Sequence, residues 1–415
     1  MRHLCISALA LPTVLLAACL VLAPPVLAKD KQPHWVAAWG SSQMIAEGNN
    51  ALTPEQLTDA TLRQVVRVTY PGQSYRVRLS NIYGKEPLTV DSVRIARIAT
   101  PDTSTIDTAT TAKVLFGGRD KVTIPAGADY LSDPVAVDLP GLSDAAISLH
   151  IATPPMVQTG HPGARTPSYL VKGNRVDDAA LADATVFQRW YLISGLEVAA
   201  KPKTRAIVAF GDSITDGYGV KDNRNTRWGD GLMKRLAATG RPLPVLNGGI
   251  GGNRMLLDGL GPNALARFDR EVLSPPNVGY VILLEGVNDL GTLTRDASAT
   301  PEAHADLVAN VTAGYAQLIH KARSQGIKVY GATVMPYAGN TYYHPEPVSE
   351  ADRQAINAWI RTPGNFDAVI DFDAAMRDPA QPDRLLPAYD SGDHLHPSEA
   401  GYKAMADAVP LELFK

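Results

Sequence analysis

The stretch "IVAFGDSITDGYG", Ile207 to Gly219, is an apolar run that stops abruptly at glycine, acid and serine. An uninterrupted apolar run is the mark of a strand buried on both faces, as in a parallel sheet. A turn accounts for the glycines that follow. It does not account for a hydroxyl at the tip of the strand. Ser213 is either the cap of a helix that begins there or a group held out for chemistry. A Gly-Asp-Ser tripeptide arises by chance in roughly one chain in ten of this length, so the surrounding sequence has to decide.

From Thr204 onward the chain alternates between apolar strands and amphipathic helices. Runs at "AIVAF", "PVLNGG", "YVILLEG", "KVYGATVM" and "AVIDF" read as strands, and "RWGDGLMKRLAA", "PEAHADLVANVTAGYAQLIHKARSQG" and "SEADRQAINAWIR" as helices. That rhythm predicts a flavodoxin-like three-layer α/β/α domain with a parallel sheet of about five strands. Before Thr204 the period is two. In "YRVRLSNIY", Tyr75, Val77 and Leu79 face one way while Arg76 and Arg78 face the other. Similar pieces at "LTVDSVRIA", "KVTIPAG", "PVAVDLPG" and "AISLHIA", parted by Gly, Pro and Asp turns, predict an all-β sandwich or jelly-roll-like domain. The expected division is a signal peptide over 1–28, a β-sandwich-like accessory domain over 29–200 and a catalytic domain over 201–415. The six-residue junction "AAKPKT" and the aromatic "FQRWYLISGL" before it predict a packed interface, not a free tether.

Met1 to Ala28 carries an early Arg2, a long apolar stretch and a Val26-Leu27-Ala28 ending, as in a secretory signal, so the expected location is secreted or periplasmic. A lipoprotein anchored at Cys19, in "LAAC", is the alternative; Pro24 and Pro25 break the run and speak against a membrane span. Both cysteines, Cys5 and Cys19, lie in this segment, so the 387 residues from 29 to 415 have none and depend on their core. The formal charge of −3 is too mild to imply a nucleic-acid or anionic-membrane partner.

In a doubly wound sheet, function collects where strands end. Polar groups fall there: Ser213 after the first strand, "NGGIGGN" (247–253) after the second, "GVND" (286–289) after the third and "DHLHP" (393–397) after the fifth. A hydroxyl, glycine amides, a carboxamide, a carboxylate and an imidazole on one row of loops make a kit for acyl transfer. Each block has a plainer reading alone. The glycine turn fits neither a dinucleotide nor a Walker pattern. His394 and His396 suggest a metal pair, but no H-E-x-x-H accompanies them. No G-x-S-x-G elbow is present.

Taken together and in this order, the blocks resemble the SGNH hydrolase superfamily, the GDSL esterase/lipase family, over about Arg205 to Val409. The resemblance implies Ser213 as nucleophile, with Asp393 and His396 in the family's D-x-x-H spacing. It also implies an oxyanion hole from Ser213, Gly252 and Asn288. Within that scheme His396 takes the serine proton and Asp393 fixes the imidazole tautomer, while Asp212 and Asp216 hold the turn or cap the helix. No metal or cofactor is called for. The N-terminal half, including "HWVAAWGSSQ", resembles secreted members that carry an extra β domain.

The expected activity is a carboxylic ester hydrolase working through an acyl-enzyme, on short acyl or acetyl groups of carbohydrate. Lipase, lysophospholipase-like or arylesterase activity is the alternative, and a non-catalytic carbohydrate-binding protein is a reading of another class. The aromatic loop "MPYAGNTYYHPEP" (335–347) is a candidate wall of the site, its tyrosines either stacking on sugar or packing against the domain.

Overall fold

The computed structural model describes Met1 and residues Pro33–Lys415; the expected signal peptide beyond Met1, with Cys19, lies outside the described residues. From Ala206 onward five parallel strands form one sheet. Its spatial order is Val245–Gly249, Ala206–Gly211, Val278–Leu284, Lys328–Ala332, Ala368–Ile370, which is the flavodoxin-like order 2-1-3-4-5. Right-handed crossovers then sort the helices. The step from the first strand to the second runs leftward, and its helix Trp228–Ala238 packs with the last helix, Glu399–Ala408. Steps to the right carry Pro301–Ser324 and Pro347–Arg361, which pack with each other across the opposite face. The strand Ala206–Gly211 is buried throughout and Val278–Leu284 everywhere but at Tyr280, as a sheet covered on both faces requires.

The N-terminal half is a sandwich of antiparallel sheets. One contains His34–Gly40, Ile193–Ala200, Gly72–Ser80 and Val135–Leu139, in that order; the other is built on Ser168–Lys172, Ala60–Arg67, Asp144–Ile151 and Ser92–Arg97. The alternation in 75–79 comes out as the period requires. Tyr75, Val77 and Leu79 are fully buried, facing Leu62, Ile95, Ile147 and Leu149 of the second sheet within one core. Arg76 and Arg78 stay on the other face, where both pair with Glu197.

The strand His34–Gly40 ties the two halves together. Ala38 and Trp39 belong to the sandwich core, whereas Val36 and Ala37 lie in the core of the parallel sheet. Its backbone also serves both sides. It pairs with Ile193–Ala200, while Ala37 N donates to Pro276 O at 3.1 Å and Asn277 Nδ2 donates to Trp35 O at 2.7 Å. Just beyond, Ser41 bridges Asn247 on the edge strand of the parallel sheet. Residues His34–Lys415 are accordingly one compact unit. Burying Val36 alone contributes about 1.5–3 kcal/mol, a sizeable share of the 5–15 kcal/mol by which domains are stable.

A fragment Arg205–Lys415 would lose that strand and bare an edge of the parallel sheet, a template for aggregation. It is therefore expected to be insoluble, or inactive even toward p-nitrophenyl acetate. A soluble fragment with the full small-ester activity of the whole chain would show that the sandwich is a detachable module.

Candidate active site

The apolar strand Ala206–Gly211 ends at Asp212, which caps the short helix Ser213–Asp216 by accepting from Ile214 N at 2.8 Å. Ser213 is thus the first helical residue and not the cap, so its hydroxyl is free for another partner. Close approach explains the glycines. A Cβ on Gly211 would stand 2.5 Å from Leu284 O, and one on Gly249 would stand 2.2 Å from Asp216 N. Only bare backbone lets the neighbouring strand ends meet the serine helix.

His396 reaches Ser213 from the last loop: Nε2 lies 2.9 Å from Ser213 Oγ, and Nδ1 lies 2.6 Å from Asp393 Oδ2. The other oxygen of Asp393 accepts from the N–H groups of His396 and Leu395 at 2.8 and 3.0 Å and from Ser391 Oγ at 3.0 Å. Partial burial pushes the Asp393 carboxyl up, but the hydrogen bonds from the His396 ring and backbone outweigh it. They hold the group well below the ordinary carboxylate range. An ionised Asp393 can only accept, so His396 carries its proton on Nδ1 and offers the Nε2 lone pair to the serine hydroxyl. Ser213 and His396 are 7% and 9% exposed, enough for a small group to reach them from one side.

Gly252 sits in the turn after the second strand with φ +69°, and neither its N–H nor that of Ser213 makes a hydrogen bond among the described residues. Asn288 is the second residue of the helix Val287–Thr294 and is buried. Its Nδ2 donates to Asn253 O at 2.7 Å, and its Oδ1 accepts from Tyr343 OH at 2.6 Å. Because a carbonyl can only accept, this pairing fixes which end of the amide is nitrogen and leaves one Nδ2 proton uncommitted. The structure therefore gathers Ser213, His396 and Asp393 into one hydrogen-bonded chain, with Gly252 and Asn288 joined to each other through the backbone of Asn253.

Several contributors carry no motif. Tyr343 orients Asn288, and Asn340 in turn holds Tyr343: its Oδ1 accepts from Tyr343 N and its Nδ2 donates to Asp393 O, each at 2.8 Å. The aromatic loop thus links the amide donor to the acid. Tyr337 and Tyr343 pack inward, and only Tyr342 keeps an exposed ring. Tyr218 lies against His396, ring centroids 4.0 Å apart. Asp216 Oδ1 lies 3.0 Å from His161 Nε2, a contact from the sandwich. His394 pairs with Asp390 at 2.6 Å and stands apart from His396 in that partnership.

Beneath the row of loops lies Arg267, wholly buried. It donates to Gly248 O at 2.7 Å, Gly211 O at 2.9 Å, Asn253 Oδ1 at 3.0 Å, Ser42 Oγ at 3.1 Å and Glu285 Oε1 at 3.2 Å, and it pairs with Glu271. Nothing in the sequence marks this residue except an arginine in a short apolar helix, "ALARF".

A sequence model of the GDSL-like lipase/acylhydrolase family matches residues 209–404. No curated protein matches the chain. Among solved structures, the chain is similar to a member of the lipolytic protein G-D-S-L family from Veillonella parvula, at 20% identity over 51% of this chain and 98% of that one, TM-score 0.37. It is likewise similar to a GDSL-like lipase from Bacteroides thetaiotaomicron, at 20% identity over 50% and 87%, TM-score 0.38. A lipase/acylhydrolase from Enterococcus faecalis is similar at 24% identity over 49% and 93%, TM-score 0.38. Through residues 209–404 the chain belongs to the GDSL-like lipase/acylhydrolase family, a family of ester-hydrolysing enzymes.

Proposed function

We propose that the protein is an exported serine esterase that cleaves carboxylic esters of short acyl groups on carbohydrate, with Ser213, His396 and Asp393 as its triad. The observation that carries this reading is the unbroken chain from Ser213 Oγ through His396 to Asp393, at 2.9 and 2.6 Å. As Ser213 Oγ attacks the carbonyl carbon, its proton passes to His396 Nε2. The imidazolium is stabilised by Asp393 and then returns that proton to the departing alcohol oxygen, leaving an acyl-serine. Water, deprotonated by the same nitrogen, attacks the acyl carbon, and the acid leaves as the serine regains its proton. The two unpartnered N–H groups of Ser213 and Gly252, with the spare Asn288 proton, would receive the oxyanion.

The exposed ring of Tyr218 beside His396 suits the face of a sugar. A second reading, an apolar acyl group, is favoured by Leu257 and Leu260. They are 61% and 69% exposed, and Leu260 packs on Gly252. A p-nitrophenyl ester series of rising chain length, set against acetylated polysaccharides, decides between the two. A maximum at acetate with release from polymer supports the first, and a maximum at long chains the second. Export follows from the N-terminal segment and is checked by fractionating the native host and sequencing the mature N-terminus.

Ser213→Ala is expected to cut turnover by about 10⁶-fold, the usual loss for a triad serine, while melting within a few degrees of the native chain. A folded variant with near-normal turnover would remove Ser213 from the mechanism.

Asn288→Ala is expected to lower kcat by about 10²–10³ with little change in KM, because the oxyanion exists only in the transition state. Tyr343→Phe, which deletes one hydrogen bond to Asn288, is expected to lower kcat by about 3- to 10-fold. In the Asn288→Ala background the same change should do nothing further, a coupling that a merely structural tyrosine would not show. Additive losses would dissociate Tyr343 from the amide.

A further inference from the structure

The sandwich sends the end of its strand Gln158–His161 and the loop that follows, residues 162–166, onto the serine helix. His161 bridges Ser42 O at 2.8 Å and Asp216 Oδ1 at 3.0 Å. Gly163 presses so close that a Cβ there would stand 1.9 Å from Asp216 Oδ2. Ala164 O accepts from Arg227 Nη2 at 2.6 Å, and Asn223 N donates to Arg165 O at 2.7 Å. Pinned at these points, the loop holds Arg165 with φ +48°, a conformation that only surrounding contacts keep in place.

The side chain so presented has nothing to bind. Among the described residues the Arg165 guanidinium makes no ion pair and no hydrogen bond, although its Nε is shielded from water. The deeply buried Arg63, Arg267 and Arg353 are by contrast held by several acceptors each. Arg165 lies instead over Tyr218, Cζ 5.6 Å from the ring centroid, and Tyr218 lies against His396 at 4.0 Å. The open cation is thus two ring contacts from the imidazole, beside a tyrosine that is 50% exposed. A plain cation–π contact would account for the position, but it leaves the planar fork of donors unfilled.

We propose that the loop 162–166 forms part of the substrate site and that Arg165 binds a carboxylate carried by the substrate beside the scissile ester. The substrate class is then an ester whose alcohol part is acidic, such as an acylated uronate. Its ring would lie along Tyr218 while its carboxylate takes the guanidinium fork. This rests on the esterase reading above and narrows it.

The test compares two acetate esters of the same shape, 4-acetoxybenzoate and 4-acetoxybenzamide, each kcat/KM divided by its hydroxide-catalysed rate. The native protein is expected to favour the acidic ester about tenfold, roughly one charge-assisted hydrogen bond. That preference should shrink as salt shortens the Debye length from about 30 Å to about 3 Å. Arg165→Gln should erase the preference, and Arg165→Lys should keep part of it in a salt-dependent form. Since Arg165 also supports Tyr218, absolute rates on both esters will shift, and the ratio is the readout. Should the variants fail to fold, the salt dependence of the native protein and its inhibition by benzoate over benzamide carry the same information. A native protein that hydrolyses both esters without preference overturns the assignment and leaves the esterase standing, as does an Arg165→Gln protein with an unchanged ratio. If the native protein does not hydrolyse p-nitrophenyl acetate at all, the esterase reading fails and this one with it.

Discussion

A single buried guanidinium holds the row of loops in register. Arg267 is the point where the ends of the first two strands, the acid at the end of the third, the glycine turn and the N-terminal segment all meet. A buried charge is tolerable only if paired and saturated with acceptors, so each of these groups is constrained by the need to satisfy it. The stack of Arg267 on Phe210, 3.8 Å from Cζ to the ring centroid, fastens it to the serine strand as well. Asn253 then passes the constraint on. One face of it accepts from Arg267, and its backbone carbonyl takes the Asn288 amide. Position in this site is therefore set from below, by charge, and from the side, by the Tyr343–Asn340 relay to Asp393.

Much of this was legible in the sequence because the signals were local. The parallel strands show as unbroken apolar runs, and the sandwich strands show as alternation. The four polar blocks sit at strand ends, where a sheet of order 2-1-3-4-5 brings them to one edge. Apart from Ser213 with His396, which the four blocks join, pairings across long separations were not legible. Arg267 lies in a short helix that continues into a single π-helical turn, Asp269–Leu273, with no period to announce it. Tyr343 meets Asn288 across 55 residues, and His161 meets Asp216 across the same number. No pattern within either neighbourhood codes for the contact. The strand His34–Gly40 reads as an ordinary strand, yet consecutive residues Ala37 and Ala38 serve different cores. Strict alternation would put Val36 and Ala37 on opposite faces; the register shift between Ala37 and Trp39 interrupts the pairing there, and no local pattern announces it.

The sandwich consequently belongs to the chemistry as well as to the fold. Its first strand shares a core with the parallel sheet, and Ser42 reaches both Arg267 and Glu271. Its segment 160–166 clamps the helix that bears Ser213. In the proposed substrate site, support and recognition would be built from one set of contacts. Moving the loop to change what Arg165 touches would also move Asp216, and with it the serine.

Four acids crowd this region, and burial explains why only one of them serves the histidine. Burial pushes the Asp212 carboxyl up to about 7 and that of Asp289 up to about 6, and it pushes Glu285 well up despite the Arg267 partner. Asp212 also has one oxygen committed to the helix cap, and Asp289 spends both on the N–H groups of Met255 and Leu256. Acids so placed begin to lose their charge at a pH where an ordinary carboxylate is still fully ionised, which makes them the poorer stabilisers of an imidazolium. Asp393 differs in being partly exposed and in receiving two backbone N–H groups, a serine hydroxyl and the ring itself. It stays ionised across the range in which a histidine gains and loses its proton. The buried acids build the platform that presents Ser213, and the partly exposed one supplies a steady charge behind His396. Depth below the surface thus separates the carboxylates that shape the serine turn from the one that partners His396.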